Sequence, residues 1–308
     1  MFMINTMANY IDLARFIGIY AVVLGHFAPF VCTCDEIGRE LVYLFHVPLF
    51  FVISGMLSKP TPIIKTFSSL IIPYFIYNII SIVKMDFFAL FTFDALNLNN
   101  SPTWFFAALF FIKIISDHIN KWIPYYIGGV ILVVALFHLY DVEIPRCGGL
   151  HAVVYGLPFF LFGKYIKDKM ADILSVNIWI LCVCVVLLVC VCLRYERFDL
   201  YSSEIHNPLV YFLTSCTASL LVLILCNKVF VYIPENLHSF IMVNSRGTMF
   251  ILGTHYILLG VLSKYVIPGV HLHFYVKFLF VCLSSVPYYY VIRYTNKRFP
   301  ILYGKLRK

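Results

Sequence analysis

Apolar residues gather into ten stretches of spanning length or close to it, at 10–30, 41–58, 66–84, 104–120, 123–140, 151–167, 174–193, 208–227, 247–265 and 271–292. About 20 helical residues cross a hydrocarbon core of about 30 Å. The pattern therefore predicts an all-α polytopic membrane protein with about ten transmembrane helices, forming a single integral-membrane domain over 1–308. The stretches 41–58, 151–167 and 247–265 are the short or polar ones. Short connections make consecutive helices neighbours. No internal repeat, low-complexity segment, coiled-coil pattern or inverted-repeat transporter signature is visible.

The first stretch, YIDLARFIGIYAVVLGHFAP, interrupts its own apolar pattern with Asp12, Arg15 and His26. An ionisable group at bilayer depth costs on the order of 2.5–3.5 kcal/mol on insertion scales, so such residues point to function. At about 100° per residue, the steps from Arg15 to His26 return to within about 20° of the same face, and Asp12 lies one turn below Arg15. With a rise of about 1.5 Å per residue, His26 stands roughly 16 Å along the axis from Arg15. One polar stripe, and with it a buried polar cavity, is expected to run from near one surface past the membrane's middle. In the second stretch, His46 is expected about five residues from the outer end of its helix, at a depth similar to His26. Pro48 and Ser54-Gly55 predict an irregular helix there, and Ser54 also suits a small-residue packing patch. Trp104, opening an outside-to-inside helix, fits an interfacial aromatic belt. His255 is a further imidazole within the late stretch 247–265.

Composition agrees. Hydrophobic residues make up 62% and charged ones 12%, against about 45–50% and about 25% in soluble domains. With the N-terminus inside, fifteen of the 23 lysines and arginines fall on inner segments, seven outside, and Arg15 within a span. That asymmetry predicts an N-in, C-in topology with an even number of spans. The net charge of +8 then calls for no nucleic acid, since the tail RYTNKRFPILYGKLRK reads as a basic segment facing anionic lipid. No cleavable leader is recognisable, so the first span is expected to be retained. Cys32, Cys34 and Cys147 fall in outer connections, where a disulfide can form. The other cysteines lie in spans as small apolar residues. Neither CxxC nor zinc-like spacing occurs, and no metal is expected.

The pairing of IDLARFIGIYAVVLGHF with FHVPLFFVISG, followed by a basic residue and IIPY, resembles the opening of the membrane-bound acyltransferase 3 family. The family's Arg-x10-His pattern falls on Arg15 and His26, and its second helix matches at His46, Pro48, Phe50, Ser54 and Gly55. TWFFAALFF (103–111) resembles the family's Trp-Phe segment, and SRGTMFILGTHYILL (245–259) resembles the late span carrying a histidine, here His255. Where relatives often place Arg-x-x-Arg or a similar doubled basic patch before the third span, this chain offers only Lys59 and Lys65.

The resemblance implies transfer of an acyl group, most often acetyl, from cytoplasmic acetyl-CoA to a surface polysaccharide or its lipid-linked precursor, across a bacterial cytoplasmic membrane. In that setting Arg15, held by Asp12, orients the donor, while Lys59 and Lys65 add charge to its phosphates. His26 activates the acceptor hydroxyl as general base or forms an acyl-histidine intermediate. His46 or a backbone N–H steadies the developing oxyanion, and Trp104, Ser54 and His255 touch substrate. The rival from another class is a proton-coupled transporter or flippase of a glycan-related substrate, with the same stripe lining its path. In a third reading the intramembrane charges only fix helix packing in an assembly protein.

Overall fold

The structure, a computed structural model, describes residues 2–27, 33–81, 100–142, 144, 149–194, 198–199, 204–205, 207–262 and 273–305. Its helices are α1 (Phe2–Gly25), α2 (Thr33–Met56), α3 (Ile63–Ile80), α4 (Trp104–Asp117), α5 (Ile123–Leu139), α6 (Leu150–Ile166), α7 (Met170–Leu174), α8 (Ile178–Arg194), α9 (Pro208–Phe230), α10 (Glu235–Arg246), α11 (Thr248–Val261) and α12 (Phe274–Arg298). Among the described residues, β-structure is confined to the antiparallel pair β1 (Phe198–Asp199) and β2 (Glu204–Ile205). Most of the described part of each of the ten apolar stretches lies on one of these helices. Among the described residues, four segments are long and apolar enough to cross a membrane, Gly38–Met56, Ile63–Ile80, Pro208–Phe230 and Phe274–Arg298, and three apolar helices are shorter.

The centre of the bundle is α2, packed most extensively on α6 and then on α1 and α9. Two glycines make the first crossing close. A Cβ added at Gly55 would overlap the carbonyl of Phe160, and one at Gly163 would overlap that of Val52. Small residues admit this backbone-to-backbone approach, which drives helix association where lipid removes the hydrophobic advantage. From α6, Lys164 donates to the carbonyls of Ser116 and Ile119, both at 2.8 Å. It thereby adds a cationic donor to carbonyls at and just beyond the end of α4, of which that of Ser116 also accepts from the Ile119 N–H at 3.0 Å;.

Three local expectations are corrected. The second helix is longer and more regular than its sequence suggests: it starts at Thr33 and runs through Pro48 and Gly55 to Met56. The polar run CTCDEIGRE contains no proline to stop a helix, and Pro48 costs a single hydrogen bond inside a packed bundle. The first helix ends at Gly25, so His26 sits in the closing turn, its N–H still bonded to the Val22 carbonyl. The connection after α9 contains α10. Its inward residues include Asn244 and Ser245, so no apolar run announced it. The disulfide candidates Cys32 and Cys147 and the side chain of Cys34 lie outside the described residues, as do 86–99, Tyr195 and Tyr201.

Candidate functional site

Two cavities open along the same face of α1. The larger, about 670 Å³, is lined by Arg15, Lys65, Lys113 and Lys305, with Ser54, Ser58, Thr61, Thr66 and Ser69 between them. Its cations come from α1, α3, α4 and the segment after α12, and no carboxylate is among the lining residues. Such a chamber attracts anions, and its hydroxyls add donors suited to phosphate oxygens.

The smaller cavity, about 70 Å³, holds His26 and His46 against Ile19, Val22, Phe50, Trp104, Phe105 and Leu252. Apart from its two imidazoles and Thr248, its lining is aliphatic and aromatic. The His46 Nδ1 lies 2.7 Å from the Val42 carbonyl. A carbonyl can only accept, so this nitrogen carries the proton and the neutral ring's lone pair is on Nε2. The same reasoning applies to His255, whose Nδ1 lies 3.0 Å from the carbonyls of both Ile251 and Leu252. Its Nε2 is buried and has no hydrogen-bond partner among the described residues. The His255 ring packs on that of His26 with centroids 5.3 Å apart, and Tyr256 meets His26 edge-on at 6.0 Å. His26 makes no side-chain hydrogen bond among the described residues, so a base with free nitrogens faces the small chamber.

On three helices the two linings are separated by about one turn. Along α1 the wall passes from Arg15 to Ile19, along α2 from Ser54 to Phe50, and along α4 from Leu109 to Phe105. A spacing of four residues is about 6 Å of rise. The chambers are therefore stacked end to end, the basic one below the histidine one.

Arg15, Lys65 and Ser54 are thus brought together in one chamber, and His26, His46 and Trp104 in the other, with His255 behind His26. Two expected site residues are placed elsewhere. Asp12 makes no ion pair with Arg15 within 4 Å among the described residues. Its carboxylate instead accepts from Ser245 Oγ of α10 at 2.6 Å. Tyr20, two turns on, donates to Asn244 of the same helix at 2.7 Å. This edge of α1 faces α10, while Arg15 and His26 face the cavities. The Lys59 side chain is exposed and lines neither chamber. Its carbonyl accepts from Lys113 Nζ at 3.1 Å, and Thr61 Oγ1 accepts from the same ammonium at 3.0 Å.

Lys113 and Lys305 were missed as site residues. For Lys113 the signal was present, a lone charge inside the apolar WFFAALFFIKIISD. Lys305 owes its place to the chain's return after α12. There the 3-10 turn Pro300–Tyr303 is fastened by Tyr77 Oη donating to the Leu302 carbonyl at 2.7 Å and by Tyr303 stacking on Phe250 at 5.5 Å. Gly304 follows with φ +65°, where a Cβ would be strained and would also overlap the Ser69 carbonyl;. Lys305 then reaches the basic chamber, its Nζ donating to Asn296 Oδ1 at 3.1 Å. Burial, reinforced by Arg246, lowers its pKa below the usual lysine value.

A second polar feature was also invisible in the sequence. Asn78 Nδ2 donates to Thr103 Oγ1 at 2.7 Å, the Asn100 N–H donates to Asn78 Oδ1 at 3.1 Å, and Asn100 Nδ2 donates to the Gly253 carbonyl at 2.7 Å. These bonds tie α3, the start of α4 and α11 together. They lie beside Trp104 in the wall of the histidine chamber and on the helix that carries His255 behind His26.

No curated protein and no solved structure matches the chain. The family profile described as an acyltransferase domain matches residues 8–293. That range includes both chambers except Gly304 and Lys305, and on it the chain belongs to the acyltransferase 3 family.

Proposed function

We propose that this protein moves an acyl group from acyl-CoA, bound in the basic chamber, to a hydroxyl of an extracytoplasmic glycan or its lipid-linked precursor. Family membership supports an acyltransferase. The observation that carries the finer reading is the stacking of a four-cation chamber below an apolar chamber holding His26. The 3′-phosphate and diphosphate of coenzyme A suit Arg15, Lys65, Lys113 and Lys305. Its uncharged pantetheine arm suits the aromatic passage beyond.

In the reaction, His26 takes the proton of the acceptor hydroxyl while its oxygen attacks the thioester carbonyl. The C–S bond breaks as the ester C–O bond forms. The departing thiolate receives the proton from His26, leaving free coenzyme A and the acylated sugar. His46 and His255 flank the reacting atoms, Trp104 offers a face for the acceptor, and Ser54 contributes a hydroxyl to donor binding. Asp12 acts at a distance by anchoring α1 to α10. The arrangement suits a bacterial cytoplasmic membrane crossed about ten times by one domain with both termini inside, so that the donor enters from the cytoplasm and the acceptor from the other face.

The test is transfer of label from [¹⁴C]acetyl-CoA into the glycan and lipid-linked fractions of membranes containing the protein. Label should appear with wild type and fall by at least about 100-fold with His26→Ala. Transport of a glycan-related solute without consumption of acetyl-CoA would overturn the proposal. Label trapped on His26 itself would assign the acyl-histidine route.

A further inference from the structure

The basic chamber explains how a coenzyme A ester is held, but not which acyl group it carries. Where the two chambers meet, the wall is aromatic. The Phe50 ring lies over Gly18, where an added Cβ would sit 3.2 Å from its Cε2. Gly18 is one turn above Arg15 and two turns below His26, so this ring lies between the cations and the base. From α4, Phe105 meets Phe50 edge-on at 6.1 Å and packs against Phe51 at 4.8 Å. Trp104 continues the wall, 6.1 Å from Phe105.

Phe51 is fully buried, which backs the Phe105 ring with packed core. The Phe105 side of the wall therefore cannot yield by a simple swing into a void;. An apolar cavity of about 150 Å³ takes up benzene. By that measure the histidine chamber of about 70 Å³ holds roughly half as many heavy atoms, about three. An acetyl group has that number: carbonyl carbon, oxygen and methyl.

We propose that Phe50 and Phe105 set the length of the transferred acyl group, and that the chamber they close accepts acetyl and rejects longer chains. The inference rests on the acyl-transfer reading and adds the size limit and the residues that impose it. A mismatch of one methylene in a closely fitted apolar pocket is worth about 10- to 200-fold in kcat/KM. Butyryl-CoA, with two extra methylenes, should therefore be used at least about tenfold less well than acetyl-CoA.

The experiment compares acetyl-, propionyl- and butyryl-CoA as labelled donors in membranes containing wild type, Phe50→Leu, Phe105→Leu or Phe105→Val. It reads the ratio of butyryl to acetyl transfer, which is independent of how much folded protein each membrane contains. Binding of unacylated coenzyme A to the purified full chain is measured alongside. Wild type should favour acetyl by tenfold or more, and at least one phenylalanine variant should narrow the ratio about fivefold or more by improving butyryl transfer. Equal use of acetyl and butyryl by wild type, or ratios unchanged in every variant, would overturn the size limit while leaving acyl transfer intact. Absence of both transfer and coenzyme A binding would instead remove the acyl-transfer reading, and the size limit with it.

Discussion

Replacing Arg15 by alanine is the most direct probe of the basic chamber. Arg15 stands on α1, lines the chamber, and has no carboxylate within 4 Å among the described residues, the charge of Asp12 acting on it from farther away. If its guanidinium faces a phosphate, the lost contact is a charge-assisted hydrogen bond worth about 1.5–3 kcal/mol net. At about 1.4 kcal/mol per factor of ten, Arg15→Ala should weaken acetyl-CoA binding by about 10- to 150-fold. Lys59 is the internal control. It lies nearby in sequence to Lys65 and Thr61, yet its side chain is exposed and only its carbonyl takes part. Lys59→Ala should leave binding within about twofold, as exposed charges contribute about 0–1 kcal/mol.

The assay is calorimetric titration of the purified full chain in detergent with acetyl-CoA, at two salt concentrations. A thermal unfolding curve for each ligand-free variant guards against misfolding. Wild-type affinity should fall with added salt, and the fall should be shallower for Arg15→Ala because one cation fewer is screened. The reasoning is refuted if folded Arg15→Ala binds within twofold of wild type, or if Lys59→Ala weakens binding as much as Arg15→Ala does.

On the proposed mechanism, in which His26 acts on the acceptor and not on the phosphates, His26→Ala should cut label transfer by about 10²–10⁴-fold while acetyl-CoA binding changes little. Donor binding should weaken at alkaline pH. The lowered pKa of Lys305 means that its charge is lost as pH rises, before that of an ordinary lysine, and a titration of Kd against pH should show this limb flattened in Lys305→Ala. Gly55→Ala should destabilise the protein by about 1–3 kcal/mol through overpacking at the Phe160 carbonyl;. Gly128→Ala, with nothing within 4 Å of an added Cβ, should cost nothing and gain up to about 1 kcal/mol in helix propensity, as thermal unfolding of the two variants would show.

What the sequence made legible depended on whether geometry was local. Helix positions followed from run length, and the Arg15–His26 alignment followed from the helical period, because a helix carries its own ruler. Asp12 shows where that ruler stops. Lying about 60° around the helix from Arg15, it faces whichever neighbour arrives on that side, and the neighbour is α10. That helix escaped notice because its buried face includes Asn244 and Ser245 and so lacks an apolar stripe. The choice between Lys59 and Lys113 was equally non-local. A lysine in a polar connection looks like the natural phosphate ligand, yet the tertiary fold turns it outward and points the lysine buried in an apolar run toward the cavity. Lys305 depended on Gly304 adopting a left-handed conformation against Ser69, a contact between residues more than two hundred positions apart.

The stacked chambers also bear on why one helix carries both the cation and the base. A phosphate-bearing donor needs charged, hydrated surroundings. A thioester awaiting an alcohol needs a place from which water is kept, since water would compete for the acyl group. Arg15 lines the first environment and His26 the second, and the α1 backbone fixes their separation at roughly 16 Å. A loop between them would leave that distance variable, whereas a helix packed against α2 holds it to within the tolerance that positioning a reactive carbonyl demands. The Phe50–Phe105 wall then divides the environments within one turn, the shortest interval over which α1, α2 and α4 can all change from polar to apolar lining. Other buried polar groups of the bundle, such as Asp12 with Ser245 and Asn78 with Asn100 and Thr103, join helices to one another, and the packing around the two chambers keeps their cations and imidazoles apart.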